Sequence, residues 1–266
     1  MLRILSLGAG VQSTTVALMS AHGEIDPAPD CAIFADTGWE PRAVYAHLDW
    51  LRSPSRLPFP IHVVQNGNIR EDILATRNGC SGNRPSIPWF TIGPDGRRGR
   101  RLRQCTERYK VQPILRRVRE ILGVGRRGRI AAGSVEMWMG ISVDEAVRAK
   151  QSHRQFVVNR YPLLDRSMSL NDCVSWLNLH GYPRPPKSAC IGCPFHNNQM
   201  WRDMRVNDPA GWSDAVEIDA ALRNGKNGKM VGVPFMHSSR LPLNQIDITP
   251  IEPDHFANEC DGLCGV

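Results

Sequence analysis

The segment Cys190-Ile191-Gly192-Cys193-Pro194-Phe195 sets two thiols three positions apart, a spacing that lets both thiolates reach one metal ion or cluster. One such pair is an incomplete site and needs two more ligands; a free redox pair or buried apolar cysteines is the bland alternative. A second group lies near the N-terminus, where Ser6-Leu7-Gly8-Ala9-Gly10-Val11-Gln12-Ser13-Thr14 joins an apolar run to a helical pattern through small residues. Backbone N–H groups in such a loop approach phosphate oxygens closely, helped by the dipole of the helix that follows. Gly8, Gly10, Ser13 and Thr14 fit those roles, although the loop matches neither the Walker pattern nor the full dinucleotide fingerprint. An ordinary strand-to-helix turn is the competing reading. Asp36-Thr37-Gly38 forms a third group, in which Asp36 suits Mg²⁺ or a ribose hydroxyl and equally suits a helix cap.

These groups need elements to position them. Arg3 to Leu7 reads as a buried parallel strand and Ser13 to Ala21 as the helix after it. Cys31 to Ala35 is a second buried strand ending at Asp36, with Pro41 opening a helix to about Leu51, and Ile61 to Val64 is a third strand. Strand character resumes over Arg129 to Ile141, and a short helix follows over Val143 to Lys150. Thr106 to Leu122 is helical apart from Pro113, and Ser169 to His180 is a helix with Ser169 as cap and Asp172 three residues on. The alternation predicts an α/β fold, a Rossmann-like, doubly wound, mostly parallel sheet with helices on both faces and a Cys-rich C-terminal extension. The expected division is 1–165 for the nucleotide-binding domain, with a basic loop insertion at 78–104, and 166–266 for a helical, Cys-rich region packing on it. Ligands then bind beyond the C-terminal ends of the strands, where the Gly8 loop and Asp36 converge.

Composition bounds the partners. The 266 residues can bury a full core, and 41% hydrophobic with 22% charged residues describes a soluble globular chain. No apolar run approaches a membrane span and the first residues lack a secretory signal, so the expected compartment is cytoplasmic and no membrane partner is expected. In that reducing setting the eight cysteines suit metal binding, clusters and catalysis better than structural disulfides. A net charge of +7 favours a polyanionic partner, and Arg97 to Arg103 supplies five guanidinium groups in seven residues, enough to hold a phosphate backbone or simply to form a solvated loop. Trp89 and Phe90 precede that run and suit either base stacking or packing.

The Ser6 to Thr14 loop, Asp36-Thr37-Gly38 and Cys105-Thr106-Glu107-Arg108-Tyr109-Lys110-Val111-Gln112-Pro113 together resemble the phosphoadenosine phosphosulfate (PAPS) reductase family, within the wider PP-loop ATP pyrophosphatase and adenine nucleotide α-hydrolase group. Trp138-Met139-Gly140-Ile141-Ser142, with Glu145 and Arg148, is similar to a further family segment near the nucleotide. The resemblance implies an adenine nucleotide, either ATP or PAPS/APS, held by Ser6, Gly8, Gly10, Gln12, Ser13, Thr14, Asp36, Thr37, Gly38, Gly140 and Arg148. It also implies that Cys105 joins Cys190 and Cys193 around a [4Fe-4S] cluster, with zinc as the alternative metal. Cys173 is the expected fourth ligand, with Cys260 or Cys264 as the other choices. Lys110 is expected to act in catalysis.

The C-terminus, Glu259-Cys260-Asp261-Gly262-Leu263-Cys264, resembles the tail that bears the catalytic cysteine of sulfonucleotide reductases and so points to Cys260, with a thiol reductant such as thioredoxin as partner. Two departures stand out: Asp261 is inserted in the tail, and Ala9 and Gln12 replace a Gly and an Asp of the ATP-cleaving loop. Three functions follow. The tail motif and Gln12 favour a sulfonucleotide reductase; the cysteine pair and arginine run favour an ATP-dependent sulfurtransferase that thiolates a nucleic acid; the altered loop suits a non-catalytic nucleotide- or nucleic-acid-binding protein with a structural metal.

Overall fold

A computed structural model describes residues 1–77, 87–224 and 232–248. Five strands, β1 (Leu2–Ser6), β2 (Cys31–Asp36), β3 (Ile61–Gln65), β6 (Val135–Met139) and β7 (Val157–Arg160), form a parallel sheet in the order β3-β2-β1-β6-β7. This is the doubly wound α/β arrangement expected from the sequence, with one more strand, β7, than the patterning revealed. Strand order reverses at β1, which pairs with β2 on one side and β6 on the other. The crevice beyond the carboxyl ends of β1 and β6 is therefore the switch point of the sheet.

Alternation along the strands feeds two cores. Leu5, Ala32, Phe34 and Trp138 face one side, against helices α1 (Val11–Ala21), α2 (Arg42–Leu51) and α6 (Leu170–Leu179). Ile4, Ile33, Met137 and Met139 face the other side, against Ile114 and Val118 of α4 (Gln112–Ile121). The short α5 (Pro162–Asp165) contributes Leu163 to the first core. Ser169 caps α6 in a reciprocal box with Asp172, as its spacing predicted.

A third core closes the carboxyl end of the sheet. It joins Trp39, Ile69 and Ile73 to Trp201, Met204, Ile218 and Leu222, so α3 (Ile69–Arg77) packs against α8 (Pro209–Asn224), which in turn packs against α7 (Asn198–Asn207). The 78–104 segment, expected to be an irregular loop, instead contains a hairpin of β4 (Phe90–Ile92) and β5 (Arg98–Arg100). Its turn is Pro94-Asp95-Gly96, with Gly96 at φ +76 and the Gly93 N–H donating to the Arg97 carbonyl at 2.8 Å. From the C-terminal region, β8 (Val233–Phe235) adds a third antiparallel strand to β4. Trp89 is buried in the third core, so its role is packing rather than base stacking.

One carboxylate ties this end together. Asp219 of α8 is fully buried and accepts the backbone N–H groups of Met236 at 3.0 Å and Leu243 at 2.8 Å, while Arg223 pairs with it at 2.5 Å. Asp219→Ala is expected to destabilise the protein by about 3–5 kcal/mol, because it strands two buried donors and a guanidinium at once. Urea unfolding followed by tryptophan fluorescence measures this, and a loss under about 1 kcal/mol would show that the carboxylate is not the fastener.

Candidate functional site

Helix α1 begins at the carboxyl end of β1 with Gly10 at its N-cap, and no side chain caps it. The first N–H groups of a helix have no intrahelical partner, so an uncapped start at a sheet's switch point favours an anion. Gly8 donates its N–H to Ser13 Oγ at 3.2 Å, and the Ser188 hydroxyl donates to the Gly8 carbonyl. Ala9 takes a left-handed backbone, φ +58, that a glycine adopts freely and an alanine holds at a cost of about 1 kcal/mol. The chain thus follows the tight path of a two-glycine loop despite the alanine.

The remaining loop residues are largely committed to neighbouring elements. Ser6 ends β1 and is buried. Gln12 is buried, and its Nε2 donates to Ser142 Oγ at 2.8 Å and to Glu145 Oε2 at 3.0 Å; Glu145 in turn pairs with Arg148 at 2.5 Å. Gly140 lies so near α1 that a Cβ there would sit 2.6 Å from the Ser13 nitrogen. Its role in the structure is to let β6 exit against the first turn of α1. Thr14 is fully buried, with Oγ1 3.0 Å from His47 Nε2 on α2. Its hydroxyl therefore bonds to α2.

At the end of β2, Asp36 Oδ1 accepts from the Gly38 N–H at 2.7 Å and the Tyr45 hydroxyl at 2.8 Å. Burial, and then Asp36, raise the Tyr45 phenol well above its usual range. Gly38 turns with φ +73, and a Cβ there would press on Asn68 at 2.9 Å. The turn carries Trp39 onto the cysteine segment. Ile191 donates its N–H to the Trp39 carbonyl at 2.8 Å, and a Cβ on Gly192 would lie 2.2 Å from the Trp39 ring. Indole and glycine thus lock the Cys190 turn to the Asp36 loop.

This contact collects a pocket. Cys105, Cys190 and Cys193 line it with Thr37, Lys110 and Arg103. Lys110 sits on a π-helical turn, Glu107–Val111, just before α4. Pro113 lies in the first turn of α4 and so marks where the regular α-helix starts; its missing N–H leaves the preceding turn free to widen. Glu40, which sequence reasoning passed over, is a buried carboxyl group beside the pocket. Its Oε1 accepts from Thr37 Oγ1 at 2.9 Å, lies 3.9 Å from Lys110 Nζ and is approached by the Cys190 thiol at 3.6 Å. Glu40 Oε2 has no hydrogen-bond partner among the described residues. Its position directly before the helix-opening Pro41 was the available clue.

Burial, and then Glu40, push the Cys190 thiol up, against a smaller opposing pull from Lys110. A thiol so placed stays protonated unless a cation replaces its proton. Three thiols line this one pocket, but their ligand atoms do not all lie within 4.8 Å of one another. Cys173, the expected fourth ligand, does not line this pocket: it is fully buried in the first core, and Cys31 lies in the second. Cys260, Cys264 and Cys80 lie outside the described residues. His196 follows the pocket cysteines and packs edge-on against Trp201 at 4.6 Å. Neither of its ring nitrogens has a partner among the described residues, and burial lowers it to about 3. The basic hairpin borders the same pocket, with the Arg100 and Arg103 guanidinium groups 5.4 and 5.2 Å from the centre of the Phe195 ring.

No protein-family model and no curated protein matches the chain. Among solved structures, the phosphoadenylyl-sulfate (PAPS) reductase from Candida auris in a phosphate complex is similar at 14% identity over 69% of this chain and 74% of that one, with a TM-score of 0.43.

Two predictions follow from the packing of α1. Gly140→Ala is expected to cost about 1–3 kcal/mol by overpacking, read as a lower urea midpoint, since the contact to yield is helix backbone rather than a flexible side chain. Burial lowers His47 to about 4 from 6.5. A histidine neutral in the fold and protonated when unfolded leaves stability intact above pH 6.5 and erodes it as pH falls from 6.5 towards 4. His47→Gln is therefore expected to flatten the stability–pH curve in that window by up to one proton, about 1.4 kcal/mol per pH unit; an unchanged slope between pH 4.5 and 6 would refute the assignment.

Proposed function

We propose that this chain is an adenine-nucleotide-binding enzyme of sulfur chemistry, PAPS-reductase-like, with nucleotide phosphates at the N-terminus of α1 and a metal centre in the adjacent cysteine pocket. The observation that carries this reading is the joining of two features by one turn: the uncapped α1 start beside the switch point, and the pocket of Cys105, Cys190 and Cys193 gripped by the Asp36 to Glu40 turn. The sequence resemblance to the PAPS reductase family supports it independently.

In this reading the free N–H groups of the first turn of α1 bind phosphate, and Gly140 and the Gln12–Glu145–Arg148 chain hold that turn in place. Asp36 keeps one carboxylate oxygen bonded to its own turn and offers the group to a ribose hydroxyl or to Mg²⁺. Lys110 balances negative charge at the pocket, where Glu40 already holds it. Cys105, Cys190 and Cys193 would ligate a [4Fe-4S] cluster, which supplies a redox-capable or electrophilic iron centre when bound. Zinc is the alternative metal. The reacting thiol is Cys260. Its sulfur forms a bond to the sulfonate sulfur of PAPS or APS while the sulfur–oxygen bond to the nucleotide phosphate breaks, and the electron pair leaves on the nucleotide. A partner thiol of the thioredoxin kind then releases sulfite and leaves a disulfide.

The basic hairpin favours a second reading. Arg103 lines the cysteine pocket and Arg100 lies over Phe195 at its edge, while Arg97, Arg98 and Arg101 lie in the same basic run, a surface that suits a nucleic acid phosphate backbone delivering a base or linkage for ATP-dependent thiolation. That reading predicts nucleic-acid binding that falls steeply with salt, and pyrophosphate or AMP release from ATP.

Anaerobically purified protein incubated with ATP, PAPS and adenosine phosphosulfate separates these outcomes. Sulfite release that is lost in Cys260→Ser supports reduction, and pyrophosphate or AMP release supports activation. Binding without turnover supports a non-catalytic protein with a structural metal. For the metal, Cys105→Ser, Cys190→Ser and Cys193→Ser are each expected to lower iron and acid-labile sulfide content severalfold, while Cys173→Ser leaves both unchanged. Protein that carries zinc and no iron would overturn the cluster.

A further inference from the structure

Helices α1 and α6 pack side by side and end in the same way. His22 is the C-cap of α1 and Gly23 follows with φ +73; His180 is the C-cap of α6 and Gly181 follows with φ +68. In both, the second residue past the cap donates its N–H back into the last turn, Glu24 to the Met19 carbonyl and Tyr182 to the Leu177 carbonyl, each at 2.9 Å. These matched left-handed turns bring His22, Glu24 and His180 together, with one ligand atom from each within 4.8 Å of the others. We propose that His22, Glu24 and His180 form a surface site for a divalent transition ion, zinc foremost, that fastens the end of α1 to the end of α6.

The donors are set for this. His180 Nδ1 lies 2.8 Å from the Trp176 carbonyl, an acceptor only, so Nδ1 carries the proton and Nε2 presents its lone pair. That Nε2 is 3.9 Å from Glu24 Oε1. Glu24 is oriented by the Trp176 indole N–H, 3.0 and 3.2 Å from its two oxygens, and by Arg166 at 3.8 Å. His22 Nε2 is 2.8 Å from the Tyr182 hydroxyl, and the His180 ring stacks on Trp176 with centroids 4.0 Å apart. Tetrahedral zinc with nitrogen and oxygen ligands holds them about 3.3–3.5 Å apart, which small rotations of these surface side chains achieve, leaving a fourth position for water. Two imidazoles and one carboxylate select against Ca²⁺ and Mg²⁺, which want an oxygen shell, and the absence of thiolate selects against Cu(I). Two helix C-termini converge here, and their partial negative charge favours a cation. The site lies at the far end of α1 from the Gly8 loop, about 16 Å along an eleven-residue helix, so it is separate from the pocket cysteines.

The test is a zinc titration of the full chain by isothermal calorimetry, with thermal unfolding alongside. His22→Ala/His180→Ala is expected to bind one equivalent fewer than the parent, and Glu24→Gln, which keeps an acceptor for Trp176, to bind that equivalent at least about tenfold more weakly. Cys190→Ser retains it, which distinguishes this site from the cysteine pocket. Cobalt at this site shows ligand-field absorption without a thiolate charge-transfer band. Zinc raises the melting temperature of the parent and not that of the double variant. Equal stoichiometry and affinity in parent and double variant would overturn the proposal and leave the cluster a hydrogen-bonded aromatic cap; so would a parent that binds zinc only at positions lost in Cys190→Ser.

Discussion

The constraint on which the nucleotide end of this molecule depends is the approach of Gly140 to the first turn of α1. A parallel pairing of β1 with β6 sends both chains out at the same edge of the sheet, and the two exits compete for the same space. Glycine resolves the competition because its Cα can touch the Ser13 backbone where any side chain would overlap it. With the helix start fixed there, Gln12 reaches Ser142 and Glu145, and Ser13 closes the Gly8 turn. The result is a helix start held from below by the sheet and from the side by β6. Its own capping position carries only Gly10. A backbone held so firmly, with donors that no side chain satisfies, is preorganised for an anion.

A second physical theme is the burial of charge beside thiols. Glu40 and Lys110 lie in the interior at 3.9 Å with Cys190 between the carboxylate and the pocket. Burying such a pair is costly unless the remaining atoms find partners, and Glu40 Oε2 finds none among the described residues. Interiors rarely tolerate that in the absence of a use for it. The third core packs beside this place through Trp39 and Ile191. Trp39 links the two, since its carbonyl holds the cysteine turn while its indole N–H donates to Asp214 of α8 at 2.5 Å.

The C-terminal region therefore serves both ends of the molecule. Through α6 it completes the first core around α1, and through α7, α8 and β8 it closes the carboxyl edge of the sheet and pairs with the basic hairpin. Asp219 makes this second role possible by satisfying backbone donors from two later segments at once.

Local chemistry wrote much of this plainly into the chain. Apolar runs at Leu2, Cys31 and Ile61, the glycine loop, Ser169 with Asp172 and the Cys190 spacing each act over a few residues, so their strands, turn, cap and shared pocket wall were legible from sequence. The bounds of the helices at 198–224, within the expected helical region, and the Pro94-Asp95-Gly96 hairpin were also written locally, in Asn197 as a cap, Pro209 at a helix start and the turn triplet, but were masked by charge and glycine. What only the tertiary structure decided was partnership across the chain. That Thr14 bonds His47, that Gly140 is a spacing device, that Cys173 belongs to a core and that Glu40 faces Lys110 all depend on which elements pack together. Residues 33 to 150 positions apart meet through burial of apolar faces, and periodicity reports that a face is apolar without naming what will cover it.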